Sequence, residues 1–377
     1  MSRSATLADE KHRLTSRNIK MVRFHLLNQT RQSTEYSCGA SALRSVLSYW
    51  GSDVDEAELM RLLGTNAEVG TFPEDIVRGA RELGFEAEVR ENLTLEEVRQ
   101  STADGSPMIA LAQLWRSQRN VSTPAAEEWD NGHYVVVLGV DESYVYYQDP
   151  YLRMCKAFVP RQLFEEHWHQ VMGGDLANKP KLMHLGIFVR GREPARDTAE
   201  KAVRLTDLDF RRMGSLNLIV TQFPGVLLPY DLLDELRDVW KSQEVRPSAY
   251  ILLRKDHAGN VFGMQGSGLE DEEDIAAINA LIAALTSRGL GPAQSARERA
   301  EAAMRAAAAG DFGLSAEDFR AIARNLPPDT TVIIGLFENA WERRFKAAAA
   351  RYGGAVVNQQ LVSPEALAQA ARRLASS

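Results

Sequence analysis

Cys38 stands in the run Ser37-Cys38-Gly39-Ala40, ahead of apolar residues Leu43, Leu47 and Trp50 that recur with Ala40 at helical spacing until Gly51. A thiol at the start of a helix meets the positive end of the helix dipole, which favours the thiolate. A thiolate nucleophile also needs a base and donors for an oxyanion. Gln32, six residues before Cys38, offers a side-chain amide that can form an oxyanion hole with the Cys38 backbone N–H. His133 opens a Val-rich run and Asp149 closes the next apolar run. If those runs pair as a hairpin, the start of one lies beside the end of the other, and Asp149 orients the His133 imidazole. The chemistry implied is acyl chemistry through a triad of Cys38, His133 and Asp149, with Gln32 beside it.

The elements that must place these groups are legible in outline. After the helix that Cys38 begins, Asp53 is expected to cap a second short helix ending near Gly64. Pro73 opens a third helix with Ile76, Ala80 and Leu83 on one face. Thr94 and Glu97 have the spacing of a capping box for a fourth. The first hundred residues are therefore expected to be mostly helical. Strand signals follow at 108–112, 133–140, 143–148, 156–159 and 184–190, with 139–143 as a hairpin turn. Helices first and an antiparallel sheet second is an α+β arrangement.

The block from Gln32 to Gly39, the helix end Tyr49-Trp50-Gly51, the run Gly132-His133-Tyr134-Val135-Val136-Val137 and the pair Asp149-Pro150 resemble the bacteriocin-processing, or double-glycine, cysteine peptidase family. The resemblance covers about residues 28–172 and includes Phe164 and Trp168. Members are best known as N-terminal domains of peptide-exporting ABC transporters. The resemblance implies a papain-like fold, with Cys38 as nucleophile, His133 as base, Asp149 as the orienting carboxylate and Gln32 as the oxyanion residue. The chain departs from the family pattern in places. Ser37 stands where an acidic residue is often found, and 115–129 reads as an insertion that could line the substrate cleft. No ATP-binding or membrane-spanning region is read after the match, so an exporter is not expected.

The bulk composition is that of a soluble globular protein. The chain has 377 residues, 45% hydrophobic and 25% charged, with net charge −7. Acidic residues outnumber basic ones in each half, which argues against nucleic acid as a partner. No apolar run has the length of a membrane span, and residues 1–20 are a polar arm rather than a secretory signal. The two cysteines, Cys38 and Cys155, rule out a disulfide framework and a multi-cysteine metal site. Cys155 reads as structural. His167 and His169 flank Trp168 and would point apart, so no metal and no cofactor is expected. Gly173-Gly174 and Gly353-Gly354 read as a turn and a helix stop.

The charged stretch 191–214 is expected to link a domain at 21–190 to one at 215–377. In the second, strands are expected at 216–222, 248–254, 261–265, 331–337 and 355–361. Helices are expected at 230–241, 270–309, 315–325, 340–352 and 363–374. This suggests a ferredoxin-like α/β sandwich with a helical insertion. On Leu218-Ile219-Val220 with Phe223-Pro224, Lys255 to Val261, Asp311-Phe312-Gly313-Leu314, and Leu326 to Glu338 with Gly353-Gly354, it diffusely resembles a bacterial domain family of unknown function that usually carries a glycine zipper, absent here. The acidic run 271–274 reads as a solvated helix start. The whole is expected to be a cytoplasmic cysteine peptidase acting on a peptide or protein, with a C-terminal part for partner binding or homo-oligomer assembly. Two alternatives are an acyl or peptidyl transferase and a non-catalytic peptide-binding scaffold.

Overall fold

The apolar positions spaced for a helix after Cys38 are those that become core. In the computed structural model, α1 spans Cys38–Tyr49 and buries Leu43, Val46 and Leu47. The model describes residues 22, 27–28, 31–114, 127–129, 131–152, 155–172, 181–195, 215–225, 244–269, 278 and 316–351. The second helix, α2 (Glu56–Leu63), stops at Gly64, whose φ of 65° is left-handed. Its N-cap is Asp55 rather than the expected Asp53, and both carboxylates approach Arg44 on α1. Pro73 opens α3 (Pro73–Glu82), which buries Ile76 and Ala80. The capping box forms at α4 (Leu95–Ala103): Glu97 N–H donates to Thr94 Oγ1 at 3.2 Å, and Thr94 N–H donates to Glu97 Oε2 at 2.9 Å. One strand interrupts the helical stretch, β1 (Glu86–Arg90). Its outward positions are Glu86, Glu88 and Arg90, so only Ala87 and Val89 carried its signal.

The remaining strands of the first half are β2 (Met108–Gln113), β3 (Gly132–Val140), β4 (Tyr144–Gln148) and β5 (Lys156–Pro160). They are followed by helix α5 (Arg161–His167), a small β6–β7 pair (His169–Val171 with Lys181–Met183) and β8 (Gly186–Arg190). Asp141 closes the β3–β4 turn by accepting from Ser143 N–H and Tyr144 N–H through one oxygen. The sheet is buried on both faces, and β2 shows why. Ile109 and Leu111 join Leu43, Leu59 and Ile76 in a core under α1–α3. Met108, Ala110 and Ala112 join Val98, Phe164 and Trp168 in a second core under α4 and α5. Alternate residues of one strand thus serve opposite layers.

The C-terminal strands were expected in a separate unit; those described continue the same sheet. They are β9 (Leu216–Pro224), β10 (Val245–Lys255), β11 (Val261–Gly266) and β12 (Thr330–Asn339). The sheet has ten strands in the order β1-β8-β2-β3-β4-β5-β11-β10-β12-β9, with every neighbouring pair antiparallel. The seam is β5 against β11, where Gly263 faces Phe158. A Cβ at Gly263 would lie 2.3 Å from the Phe158 ring, so glycine makes room for that ring. Phe319 on α6 (Ala316–Ala323) packs edge-on to Phe158 at 5.0 Å. Helix α7 (Ala340–Arg351) follows β12. The arm 1–20, most of the insertion 115–129, Gly173-Gly174, the linker after 195, the helix at 230–241, 270–309 except residue 278, and 352–377 lie outside the described residues. No helix among the described residues is long and apolar enough to cross a membrane.

Candidate active site

The β3–β4 hairpin brings His133 and Asp149 together. Its register pairs Val136 with Gln148, so Asp149 follows directly and His133 lies three residues before the paired position. Residues diagonally placed across two strands are within side-chain reach. The His133 Nε2 to Asp149 Oδ1 distance is 2.7 Å, and both residues are buried. The same Oδ1 accepts from Tyr151 N–H at 2.8 Å, which fixes the carboxylate. The Tyr151 ring stands edge-on to His133 at 6.5 Å.

Cys38, partly exposed at the first position of α1, faces the imidazole from the other side. With Nε2 held by Asp149, Nδ1 is the ring atom left for the sulfur. Burial pushes the Cys38 thiol up, but the hydrogen bond and charge of His133, with the backbone N–H groups of Tyr134 and Gly39, outweigh it and hold the thiol below its ordinary value. For His133, burial favours the neutral ring; the Asp149 charge and hydrogen bond and the Cys38 sulfur overcome this and raise it to about 10. The lowered thiol and the raised imidazole both act in favour of a thiolate–imidazolium pair over the neutral one.

The head of α1 is built to leave donors available. Its N-cap residue, Ser37, makes no side-chain cap bond. Instead the Ser37 hydroxyl closes the preceding turn, accepting from Thr34 N–H at 3.0 Å and donating to Thr34 O at 3.1 Å. No acidic residue occupies the first turn. The dipole end therefore acts on the sulfur rather than on a local carboxylate. Gly39 allows close packing there: a Cβ would lie 2.9 Å from Thr71 Cβ and 3.2 Å from the Tyr134 ring. Tyr134 is pinned in turn by donating to Thr71 O at 2.9 Å.

Gln32 lies on the loop entering α1. That loop is tied to the Asp149 turn by Gln32 N–H to Pro150 O at 2.8 Å and Arg31 Nε to Tyr151 O at 3.0 Å. Glu56 accepts from Ser33 N–H at 2.9 Å and holds its far side. The Gln32 Nε2 donates to Thr34 O at 2.7 Å, which leaves its second N–H, while Oε1 is buried with no partner among the described residues. The hairpin and loop thus bring His133, Asp149 and Cys38 together and tie the loop that carries Gln32 to the turn after Asp149.

Other singled-out residues fall elsewhere. Cys155 is fully buried and its thiol is pushed well up by burial, with the Asp149 charge adding to it. His167 ends α5 with Nδ1 on Leu163 O at 2.7 Å, and His169 packs against the Trp129 ring. Among the described residues no group of three or more His, Cys, Asp or Glu is placed to hold a metal. Thr71, Tyr151 and Gln113 are site neighbours the sequence did not single out, and Tyr134 was read only as part of the run that carries the resemblance. The pair Asp149-Pro150 was the signal next to Tyr151; Gln113 carried none.

The peptidase C39 family model matches residues 27–173. The transport/processing ATP-binding protein ComA of Streptococcus pneumoniae is 29% identical over 138 residues, which is 36% of this chain and 17% of ComA. The chain thus spans under a fifth of that relative's length. The protein MTBMA_c00490 of Methanothermobacter marburgensis is 31% identical over 136 residues, 36% of this chain and 79% of that protein. The crystal structure of the peptidase domain of Streptococcus ComA is 24% identical, covers 46% of this chain and all of that domain, and has a TM-score of 0.32. The family model spans the segment that carries Cys38, the second relative is covered over 79% of its length at 31% identity, and the chain belongs to the peptidase C39 family of cysteine peptidases.

Proposed function

We propose that the chain hydrolyses a peptide through Cys38, His133 and Asp149, with Gln32 and the head of α1 binding the oxyanion. The observation that carries this reading is the buried Nε2–Oδ1 contact of 2.7 Å behind an imidazole that faces a thiol held below its ordinary value. The Cys38 thiolate attacks the scissile carbonyl carbon, and the carbonyl electron pair moves to oxygen. The Cys38 backbone N–H and the second N–H of Gln32 receive that oxyanion. The imidazolium of His133 gives its proton to the leaving amine as the C–N bond breaks, leaving a thioester on Cys38. Neutral His133 then takes a proton from water, whose hydroxide attacks the thioester and returns the thiolate. Asp149 stays ionised throughout and orients the ring.

The substrate proposed is a peptide cut behind paired glycines, a reading that rests on family membership. The setting proposed is the cytoplasm, where a catalytic thiol stays reduced. The C-terminal strands and α7 are proposed as the partner-binding part, supported by exposed Leu218, Ile219, Val220, Trp341 and Phe345. The test is hydrolysis of a synthetic double-glycine peptide. Wild-type cleavage that is lost in Cys38→Ala, and lost when Leu replaces the second glycine, supports the reading. Cleavage that persists in Cys38→Ala overturns the mechanism, and no cleavage of any peptide by the wild type overturns the function.

A further inference from the structure

The segment that delivers His133 is paired on one side only: residues 132–137 pair with β2, and Leu114 N–H extends that ladder to Asn131 O at 3.1 Å. On the β4 side, pairing begins only at Val136. On the β2 side the last pairs are Ala112 with His133 and Gln113 with Gly132. A buried amide adds a side-chain hold to that one-sided ladder at residue 131. Gln113 has no exposed surface, and three of its hydrogen-bonding positions are used. Its Oε1 accepts from Asn131 N–H at 2.9 Å, and its Nε2 donates to His169 O at 3.1 Å and to Gln170 Oε1 at 2.6 Å. A backbone N–H only donates and a backbone carbonyl only accepts, so the orientation of this amide is fixed. Gln170 Oε1 also accepts from Val171 N–H at 2.8 Å. The Gln170 side chain lies across Gly132: a Cβ there would fall 1.5 Å from Gln170 Nε2.

We propose that Gln113 and Gln170 form an amide clamp on residues 131–132 that positions His133 against Cys38. Gln113 is a positioning residue, acting through the backbone that carries the imidazole. This rests on the role given above to His133. The clamp explains why glycine precedes the histidine: any larger residue pushes the Gln170 amide off Gln113.

The clamp predicts a particular pattern of non-additivity. Gly132→Ala acts by displacing Gln170, so Gly132→Ala and Gln170→Ala should cause the same defect, and the double variant no more than either. Gln113→Met, of similar size without the three bonds, should cause a larger one. The readout is the rate of Cys38 alkylation by iodoacetamide across pH, with Cys38→Ala as blank and a thermal melt to confirm folding. It reads the thiolate–imidazolium pair whether or not a peptide is cleaved. Gln113→Met should lose about tenfold in rate on the acid side, with the limb moved to higher pH, because a displaced imidazolium no longer offsets burial of the sulfur. Peptide hydrolysis should show the loss in kcat with KM unchanged. Wild-type alkylation profiles in Gln113→Met or Gln170→Ala overturn the clamp, as do losses at Gly132 and Gln170 that add. If the wild type cleaves no peptide while its alkylation profile follows the clamp pattern, the peptidase reading fails and the clamp stands.

Discussion

Replacing Gly39 by Ala separates what the close packing at the head of α1 does for stability from what it does for chemistry. A Cβ at this position would lie 2.9 Å from Thr71 Cβ, 3.0 Å from Thr71 Oγ1 and 3.2 Å from Tyr134 Cδ2. Thr71 Cβ is bonded directly to backbone, and the Tyr134 ring is tethered by its hydroxyl to Thr71 O at 2.9 Å. Neither swings aside, so α1 must shift relative to β3. Two stability effects oppose each other. Ala in place of Gly in a helix gains about 1 kcal/mol, and overpacking costs about 1–3 kcal/mol. The net loss is about 0–2 kcal/mol, and the thermal midpoint should fall by only a few degrees. Chemistry is less forgiving, since a misplacement of about 1 Å costs about a hundredfold. A shift of roughly half that should lower kcat/KM about tenfold. The assay is peptide hydrolysis together with a thermal melt. Thr71→Gly in the Gly39→Ala background should recover activity, since it removes both Thr71 contacts and keeps the carbonyl. Wild-type kcat/KM in Gly39→Ala, or no recovery in the double variant, would refute the packing argument.

Asp149→Asn retains an oxygen where Oδ1 receives both His133 Nε2 and Tyr151 N–H, and removes the charge. It should lower kcat about tenfold or more and move the alkaline limit of activity down, whereas Asp149→Ala should lose more because two buried donors are stranded. In the wild type, the pH–rate profile should rise as Cys38 ionises below its ordinary value and fall near pH 10, as His133, raised to about 10, loses its proton. The same shift makes a stability statement. A histidine raised in the folded state contributes stability that is whole below its unfolded value of 6.5 and lost as pH rises through about 10, which alkaline melts of wild type and His133→Ala should show. Gly263→Val drives a side chain into Phe158 and Phe319 at the seam and should destabilise the fold by about 1–3 kcal/mol while leaving Cys38 reactivity intact. Retained stability would mean that β5 and β11 are not held together as described.

The proposed catalytic group was legible because its signals are local. The helix behind Cys38 has its own apolar period, the capping box at Thr94 lies within three residues, and the hairpin that joins His133 to Asp149 is a short-range event. What the chain hid depends on distant partners or weak alternation. Strand β1 shows charges at every second position, which resembles an exposed helix as much as an edge strand. The β5–β11 seam pairs residues about a hundred apart, and Gly263 gives no hint of Phe158 until both are placed. Gln113 meets His169 and Gln170 across 56 and 57 residues, so nothing near it in the sequence marks its role. Cap choice at α2 slipped by two residues because Asp53 and Asp55 are equivalent in type, and Arg44 engages both.

The central claim is that Cys38 is an acylated nucleophile activated by His133. The most direct measurement is intact-mass and peptide mapping after treatment with a double-glycine peptide carrying a vinyl sulfone at the scissile position. One adduct on Cys38, absent in Cys38→Ala and strongly slowed in His133→Ala, is the predicted result. No adduct, an adduct on Cys155, or equal labelling in His133→Ala would contradict it.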